Sequence, residues 1–176
     1  MKSHSLKFNK EKLREYLSAL NDELKALGVT GEICIVGGAA MILAFGSRES
    51  TRDIDALLLS PSQIRAAAAT VAQDLDLPAN WLNDGAKGYA SELLHYSHLR
   101  VITPPAQYIL AMKCIAARVG LDDHDKEDAK FLIEHLGLRN SEAVLEIVAK
   151  YYDAKRIPAK TQYFVREVCD ELFSKT

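Results

Sequence analysis

Cysteine is scarce in this chain of 176 residues, and charge of one sign is not in excess. The three cysteines, Cys34, Cys114 and Cys169, lie far apart with no CxxC pair, so we expect buried thiols in a reducing compartment and neither a disulfide framework nor a zinc site. Lys and Arg number 22 against 24 Asp and Glu, which excludes a general electrostatic attraction to nucleic acid or an anionic membrane.

Long hydrophobic runs are also lacking. No apolar stretch reaches the roughly 18 residues of a membrane-spanning helix, and none follows the basic N-terminus as it would in a signal peptide. We therefore expect a cytoplasmic protein without a membrane partner. Hydrophobic residues at 48% and charged residues at 26% are typical of a folded globular domain, and they exclude a disordered, collagen-like or coiled-coil chain.

Hydrophobic periodicity predicts alternating helices and strands in the first hundred residues. Leucines at 13, 17, 20, 24 and 27 predict a helix that begins after Asn9 and stops at Gly28. Apolar runs over 33–36 and 54–59 predict buried strands, with helices over 38–45 and from 61 to about 75. This order favours an α/β (α+β) fold, in which a small mixed sheet is flanked by helices.

The rest of the chain is predicted to be mostly helical. Residues 77–88 are dense in turn formers and predict a loop, and 99–102 predict a strand, preceded by a partner around 93–96. Helices are expected over 105–119, 124–136, 141–152 and 158–173. We therefore predict a core over 1–103 and a helical C-terminal part over 104–176 that packs on the same core as one compact unit.

The segment IVGGAA at 35–40, followed by TRDID at 51–55, carries the clearest chemical pattern. Alternate residues of a strand face the same way, so Asp53 and Asp55 are expected side by side. Paired carboxylates suit Mg²⁺ or Mn²⁺. Gly37 and Gly38 end a strand and open a helix, where bare N–H groups favour a phosphate. Each half of the pattern alone has an ordinary explanation: the Gly-Gly pair suits a tight turn, and Asp-Ile-Asp suits a solvated strand end. Two acids at the start of an apolar strand would, however, be costly without a cation.

Residues 35–59, IVGGAAMILAFGSRESTRDIDALLL, resemble the signature of the polymerase-β-type nucleotidyltransferase superfamily. The long spacing is similar to that of its compact toxin-like branch, which contains the AbiEii and MenT proteins, and Thr51 matches a Ser or Thr of that branch. The segments WLNDGAKG, LRVITPPAQYILAMKCIAAR and HDKEDAKFLIEHL resemble the small bacterial DUF6036 family. The resemblance covers about 32–137.

The resemblance implies roles for particular residues. Gly37 and Gly38 would cradle the nucleotide phosphates, and Asp53 and Asp55 would bind the catalytic metal. Further implied contacts to the nucleotide are Thr51, Arg52, Lys113 and either Asp125 or Asp128, the acid of an Arg-Asp-x-x-Asp motif in which His124 replaces Arg. Arg48 and Arg52 both flank the site. One interpretation is that they hold phosphates or an acceptor, and the other is that they only form salt bridges with their neighbours.

The third carboxylate of the superfamily is less well defined in this sequence. Asp84 is the first candidate and Glu92 the second, although Asp84 also suits a turn before Gly85. The implied reaction transfers a nucleoside monophosphate from an NTP to a hydroxyl of a tRNA end, a protein or a small molecule, in a toxin–antitoxin or defence setting.

Two alternatives stay open. One is a catalytically weak or inactive regulatory protein, antitoxin-like, with a cognate protein partner; the lack of an obvious third acid motivates it. The other is an RNA-binding module that uses the basic and aromatic segment 150–166.

Overall fold

The computed structural model describes residues 7–59, 61–84, 91–117, 123–153 and 157–174. Within these ranges the protein has an α+β fold with a mixed sheet, which confirms the predicted fold class. The chain divides into two compact units, Met1–Pro104 and Pro105–Thr176. None of the helices in the described ranges combines the length and apolarity needed to cross a membrane.

The first unit contains the sheet. In chain order it comprises helix α1 (Lys10–Ala26), strand β1 (Gly31–Ile35), helix α2 (Gly37–Ala40) continued by a π-helical turn (Met41–Phe45), strand β2 (Ile54–Leu59), helix α3 (Pro61–Asp74), and strands β3 (Leu82–Asp84), β4 (Ser91–His95) and β5 (Leu99–Thr103). The strand order is β3-β2-β1-β5-β4. Strand β1 is antiparallel to β2 and parallel to β5, β3 is parallel to β2, and β4 is antiparallel to β5. The two motif-bearing strands, β1 and β2, are therefore neighbours.

Helix α1 forms as its leucine spacing predicts. The Asn9 side chain accepts a hydrogen bond from the Lys12 N–H at 2.9 Å and so caps the first turn. Four of the leucines, at 13, 17, 20 and 24, are fully buried. Leu27 differs from the prediction: it follows the last helical residue and is 54% exposed, because Gly28 turns the chain away with a φ of +67°.

The predicted loop over 77–88 is wrong in part, because residues 82–84 form strand β3. Its pairing with β2 is parallel, with Ile54 opposite Leu82. A strand of three residues is too short to show hydrophobic alternation, and here backbone hydrogen bonds define it. Just before it, Trp81 is buried, and its indole N–H donates to the Ala68 carbonyl at 3.0 Å.

The second unit is helical throughout the residues that the structure describes. It comprises α4 (Ala106–Ala116), α5 (Asp123–His135), α6 (Ser141–Tyr151) and α7 (Ala159–Phe173). Apolar side chains such as Leu132, Val148 and Val168 form its core. The predicted helices agree with these bounds within about two residues, except that α4 ends earlier, where Ala117 takes an extended conformation.

Candidate active site

The turn after β1 brings the two halves of the motif into contact. Gly37 has a φ of +61°, a left-handed conformation that glycine adopts without strain. The Val36 N–H beside it donates to the Asp55 carbonyl at 2.8 Å. A Cβ on Gly37 would lie only 2.8 Å from Oδ2 of Asp55. The Asp55 carboxylate therefore lies directly against the glycine backbone.

Gly38 is crowded from another side. A Cβ there would come within 2.5 Å of the Thr51 Oγ1 and 3.0 Å of Nη1 of Arg48. Both glycines are thus required by the close approach of polar side chains, and Gly37 is required by the conformation of the turn as well. A carboxylate, a hydroxyl and a guanidinium group surround these two consecutive residues.

Asp55 is the second residue of β2, Asp53 immediately precedes the strand, and both are half-buried. Between them, Ile54 is fully buried, and its N–H donates to the Trp81 carbonyl at 2.7 Å. Burial raises the pKa of Asp53, the charge of Asp55 raises it further, and Arg52 opposes the shift. A cation beside Asp53 would favour its charged form and so offset the effects of burial and of the Asp55 charge.

The donor set at these aspartates fits Mg²⁺ or Mn²⁺, because both ions prefer carboxylate oxygens. The bare Cα of Gly37 also leaves Oδ2 of Asp55 without a side chain pressed against it from the turn. Among the described residues, no group of three or more His, Cys, Asp or Glu side chains is placed to hold a metal. The candidate metal site therefore has two carboxylates, those of Asp53 and Asp55, among the described residues.

The two candidates for the third carboxylate occupy different strands. On β3, next to β2, Asp84 is in register with Ala56, and Asn83 is in register with Asp55. Glu92 is on β4, which β1 and β5 separate from β2, so its backbone lies about 14 Å across the sheet at the usual strand spacing. The side chains of Asp84 and Glu92 lie outside the described part of the structure. The strand order favours Asp84, but the register does not, because the backbone of Asp84 pairs with Ala56, which lies on the other face of β2 from Asp55. The role itself stays a prediction.

The loop between the π-helical turn and β2 is anchored at its start. Gly46, with a φ of +63°, ends the turn, and both the N–H and the hydroxyl of Ser47 donate to the Met41 carbonyl, at 3.1 and 3.3 Å. These bonds direct the chain so that the next residue, Arg48, reaches Gly38.

The same loop is anchored at its end by the N-terminal segment. Phe8 and Thr51 exchange two backbone hydrogen bonds, at 2.7 and 3.0 Å. The Phe8 ring is fully buried and makes an edge contact with Tyr16, with ring centroids 5.1 Å apart. Tyr16 in turn contacts Trp81 at 6.0 Å. Sequence reasoning missed this anchor, since an isolated bridge to Phe8 has no local pattern.

The second unit brings together another group of predicted residues. Lys113 Nζ lies 2.7 Å from Asp125 Oδ1 and 2.8 Å from Asp128 Oδ2. Lys113 and Asp128 are buried, at 9% and 2% exposure. Burial lowers the pKa of Lys113, but the two carboxylates outweigh it, so the net pKa is raised and the amine stays charged. His124, which replaces the usual Arg, is exposed.

The basic and aromatic C-terminal segment is partly described. Lys150 donates to the Gln107 side chain at 3.4 Å, and Tyr163 is 69% exposed. Lys155 and Arg156 lie outside the described residues. RNA binding by this segment stays a prediction.

Comparison with known proteins gives one match. A family model described as nucleotidyltransferase of unknown function (DUF6036) matches residues 12–163, a span that includes the glycine turn, the aspartate pair and the Lys113 cluster. No curated protein and no solved structure matches the chain.

Proposed function

The chain belongs to the DUF6036 family of nucleotidyltransferases of unknown function, and from this membership we propose that it transfers a nucleoside monophosphate from an NTP to a hydroxyl group. The family description supports transferase activity in general. The finer proposal rests on the contact between Gly37 and the Asp55 carboxylate. Oδ2 of Asp55 lies 2.8 Å from the position that a Cβ on residue 37 would occupy. This contact supports the proposal because the turn that would bind phosphate lies against one of the two carboxylates that would hold the metal.

The backbone of the glycine turn binds the nucleotide phosphates in this proposal. Side chains at 37 and 38 would collide with Asp55 and Thr51, so glycine permits the turn and adds no side chain between its N–H groups and an anion. Mg²⁺ or Mn²⁺, held by Asp53 and Asp55, supplies Lewis-acid stabilisation of phosphate charge when bound. The raised pKa of Asp53 is consistent with a pair that a cation stabilises.

The proposed reaction is an in-line displacement. The acceptor oxygen forms a bond to the α-phosphorus, the bond from that phosphorus to the bridging oxygen of the β-phosphate breaks, and pyrophosphate leaves. The acceptor proton passes to a carboxylate, for which we propose Asp84. In the second unit, Lys113 and Asp128 are proposed, by the family resemblance, as part of the nucleotide site. The proposed acceptor is a tRNA end, a protein side chain or a small molecule, and the proposed setting is a toxin–antitoxin or defence system.

A label-transfer assay tests this function. Each of the four α-labelled NTPs is incubated with the protein, Mg²⁺ or Mn²⁺, and total RNA or lysate, and both label transfer and pyrophosphate are measured. The variant Asp53→Asn/Asp55→Asn should lose at least about 100-fold in rate, because each tenfold corresponds to only 1.36 kcal/mol of lost transition-state stabilisation.

A matched control removes two charges with the same spacing elsewhere. Asp74 and Asp76 are both exposed at the end of α3, and Asn tolerates the φ of +50° at position 76. The variant Asp74→Asn/Asp76→Asn should keep the wild-type rate. Transfer that persists in a folded Asp53→Asn/Asp55→Asn variant would contradict the proposal.

A second candidate function is nucleotide binding without turnover, in a regulatory protein with a protein partner. It is supported by the sequence, in which no obvious third acid accompanies Asp53 and Asp55. Mg²⁺-dependent NTP binding by the wild-type protein, with no pyrophosphate released in the presence of RNA or lysate, would favour this function over transfer.

A further inference from the structure

We propose that Arg48, which lies beside Gly38, binds the β- and γ-phosphates of the NTP, while the aspartate pair acts beside Gly37. The inference rests on the proposed function and assigns a residue outside the Gly-Gly and Asp-x-Asp motifs.

The contacts of the two glycines define these two positions. Position 37 faces the Asp55 carboxylate, at 2.8 Å from the missing Cβ, and position 38 faces the Arg48 guanidinium, at 3.0 Å. Consecutive Cα atoms are 3.8 Å apart, so the negative and positive groups flank the same short stretch of backbone. An NTP on this turn has its reacting phosphate at the carboxylates and its remaining phosphates within reach of a guanidinium.

The backbone that carries Arg48 is held on both sides. One residue before it, Ser47 makes two hydrogen bonds to the Met41 carbonyl, and three residues after it, Thr51 is bonded to Phe8. The π-helical turn that precedes the loop is an uncommon element that is frequent at functional sites. An arginine positioned in advance loses less entropy when it binds an anion.

Arg52 provides the comparison within the same loop. Arg52 is exposed, and its charge acts on Asp53, where it opposes the rise in pKa that burial and Asp55 cause. Arg48 is half-buried and lies against Gly38. The geometry therefore assigns the phosphate contact to Arg48, although the motif places Arg52 closer to the aspartates in sequence.

Calorimetric titration of the full chain in Mg²⁺ tests the assignment. The probes are inorganic tripolyphosphate, which presents a phosphate chain without a base, the four NTPs and the four NMPs. The variants are Arg48→Gln, Arg48→Lys, Arg52→Gln for comparison and, as the matched control, Arg139→Gln, which changes an exposed arginine between α5 and α6. Thermal unfolding of each variant is measured in parallel.

Arg48→Gln should weaken binding of tripolyphosphate and of NTP at least tenfold and leave NMP binding within about twofold, because charged hydrogen bonds to the distal phosphates are lost. Arg48→Lys should fall between wild type and Arg48→Gln, since lysine keeps the charge but not the planar fork of donors. Arg52→Gln should lose less affinity for tripolyphosphate than Arg48→Gln, and the control Arg139→Gln should bind all probes within about threefold of wild type.

Three results would overturn the inference. Equal tripolyphosphate binding by wild type and Arg48→Gln excludes the contact, and so does a larger loss in Arg52→Gln. An equal loss of NTP and NMP binding in Arg48→Gln and Arg48→Lys indicates a disrupted site. If the wild-type protein binds neither NTP nor tripolyphosphate, the proposed function fails together with the inference, whereas the first three results leave it intact.

Discussion

Comparing Gly37→Ala with Gly46→Ala separates the effect of backbone strain from damage to the candidate site. Both glycines have the same left-handed conformation, but only Gly37 lies against the Asp55 carboxylate. Their φ angles are +61° and +63°. Alanine in this conformation costs about 1–2 kcal/mol. Nothing lies within 4 Å of a Cβ on Gly46, whereas a Cβ on Gly37 meets Asp55 Oδ2 at 2.8 Å, 0.6 Å inside the 3.4 Å at which ordinary contact begins.

The two variants should therefore be similar in stability and different in activity. Gly46→Ala should lose about 1–2 kcal/mol of unfolding free energy and keep its transfer rate. Gly37→Ala should lose at least as much and should also push the Asp55 carboxylate away from the turn. Since a displacement of about 1 Å in a catalytic group can cost about 100-fold in rate, a tenfold to 100-fold loss is expected.

Urea unfolding of both variants gives the free energies, and the label-transfer assay with Mg²⁺ gives the rates. Direct Mn²⁺ binding adds a measurement that does not depend on the acceptor, and it should weaken in Gly37→Ala only. The reasoning is refuted if the two variants have the same rate and the same Mn²⁺ affinity, because the Asp55 contact would then have no role.

Two further predictions concern the second unit. Lys113→Met should destabilise the protein by about 3–5 kcal/mol in urea unfolding, because it leaves the buried Asp128 carboxylate without its partner amine; Lys126→Met, which breaks exposed ion pairs, should cost far less, and equal losses would contradict this account. Hydrogen bonds from Lys126 and Lys130 lower the pKa of Glu171 from 4.5 to about 2, so the stabilisation from this carboxylate is fully present above pH 4.5 and is lost as the pH falls toward 2. Glu171→Gln should make stability less dependent on pH in that window, and an NMR titration that places this pKa near 4.5 would disprove the coupling.

Local sequence patterns were sufficient for much of the fold. The leucine spacing and Asn9 defined α1, and the apolar runs defined β1 and β2, because each of these elements is specified by residues within a few positions of one another. Strand β3 escaped prediction because three residues among turn formers have no periodicity, and the strand exists only through its pairing with β2.

The residues of the candidate site that belong to a motif were predictable from the sequence. Those positioned by the path of a loop were not. Gly37, Gly38 and Asp55 could be expected to lie in one site, because they belong to one sequence motif. The pairing of β1 with β2 brings them together. The different positions of Arg48 and Arg52 relative to the glycine turn could not be predicted, because they depend on the π-helical turn and on the distant bridge from Phe8 to Thr51. No pattern within the loop encodes either.

The position of Trp81 has a practical consequence. It is the only tryptophan of the chain, and its own carbonyl accepts the N–H of Ile54, the residue between the two aspartates. Its buried indole is therefore an intrinsic fluorophore linked through one hydrogen bond to the backbone of the candidate metal site. Changes in its emission would follow the binding of Mg²⁺ or a nucleotide in unlabelled protein, and a red shift would reveal separation of β3 from β2 before the rest of the unit unfolds.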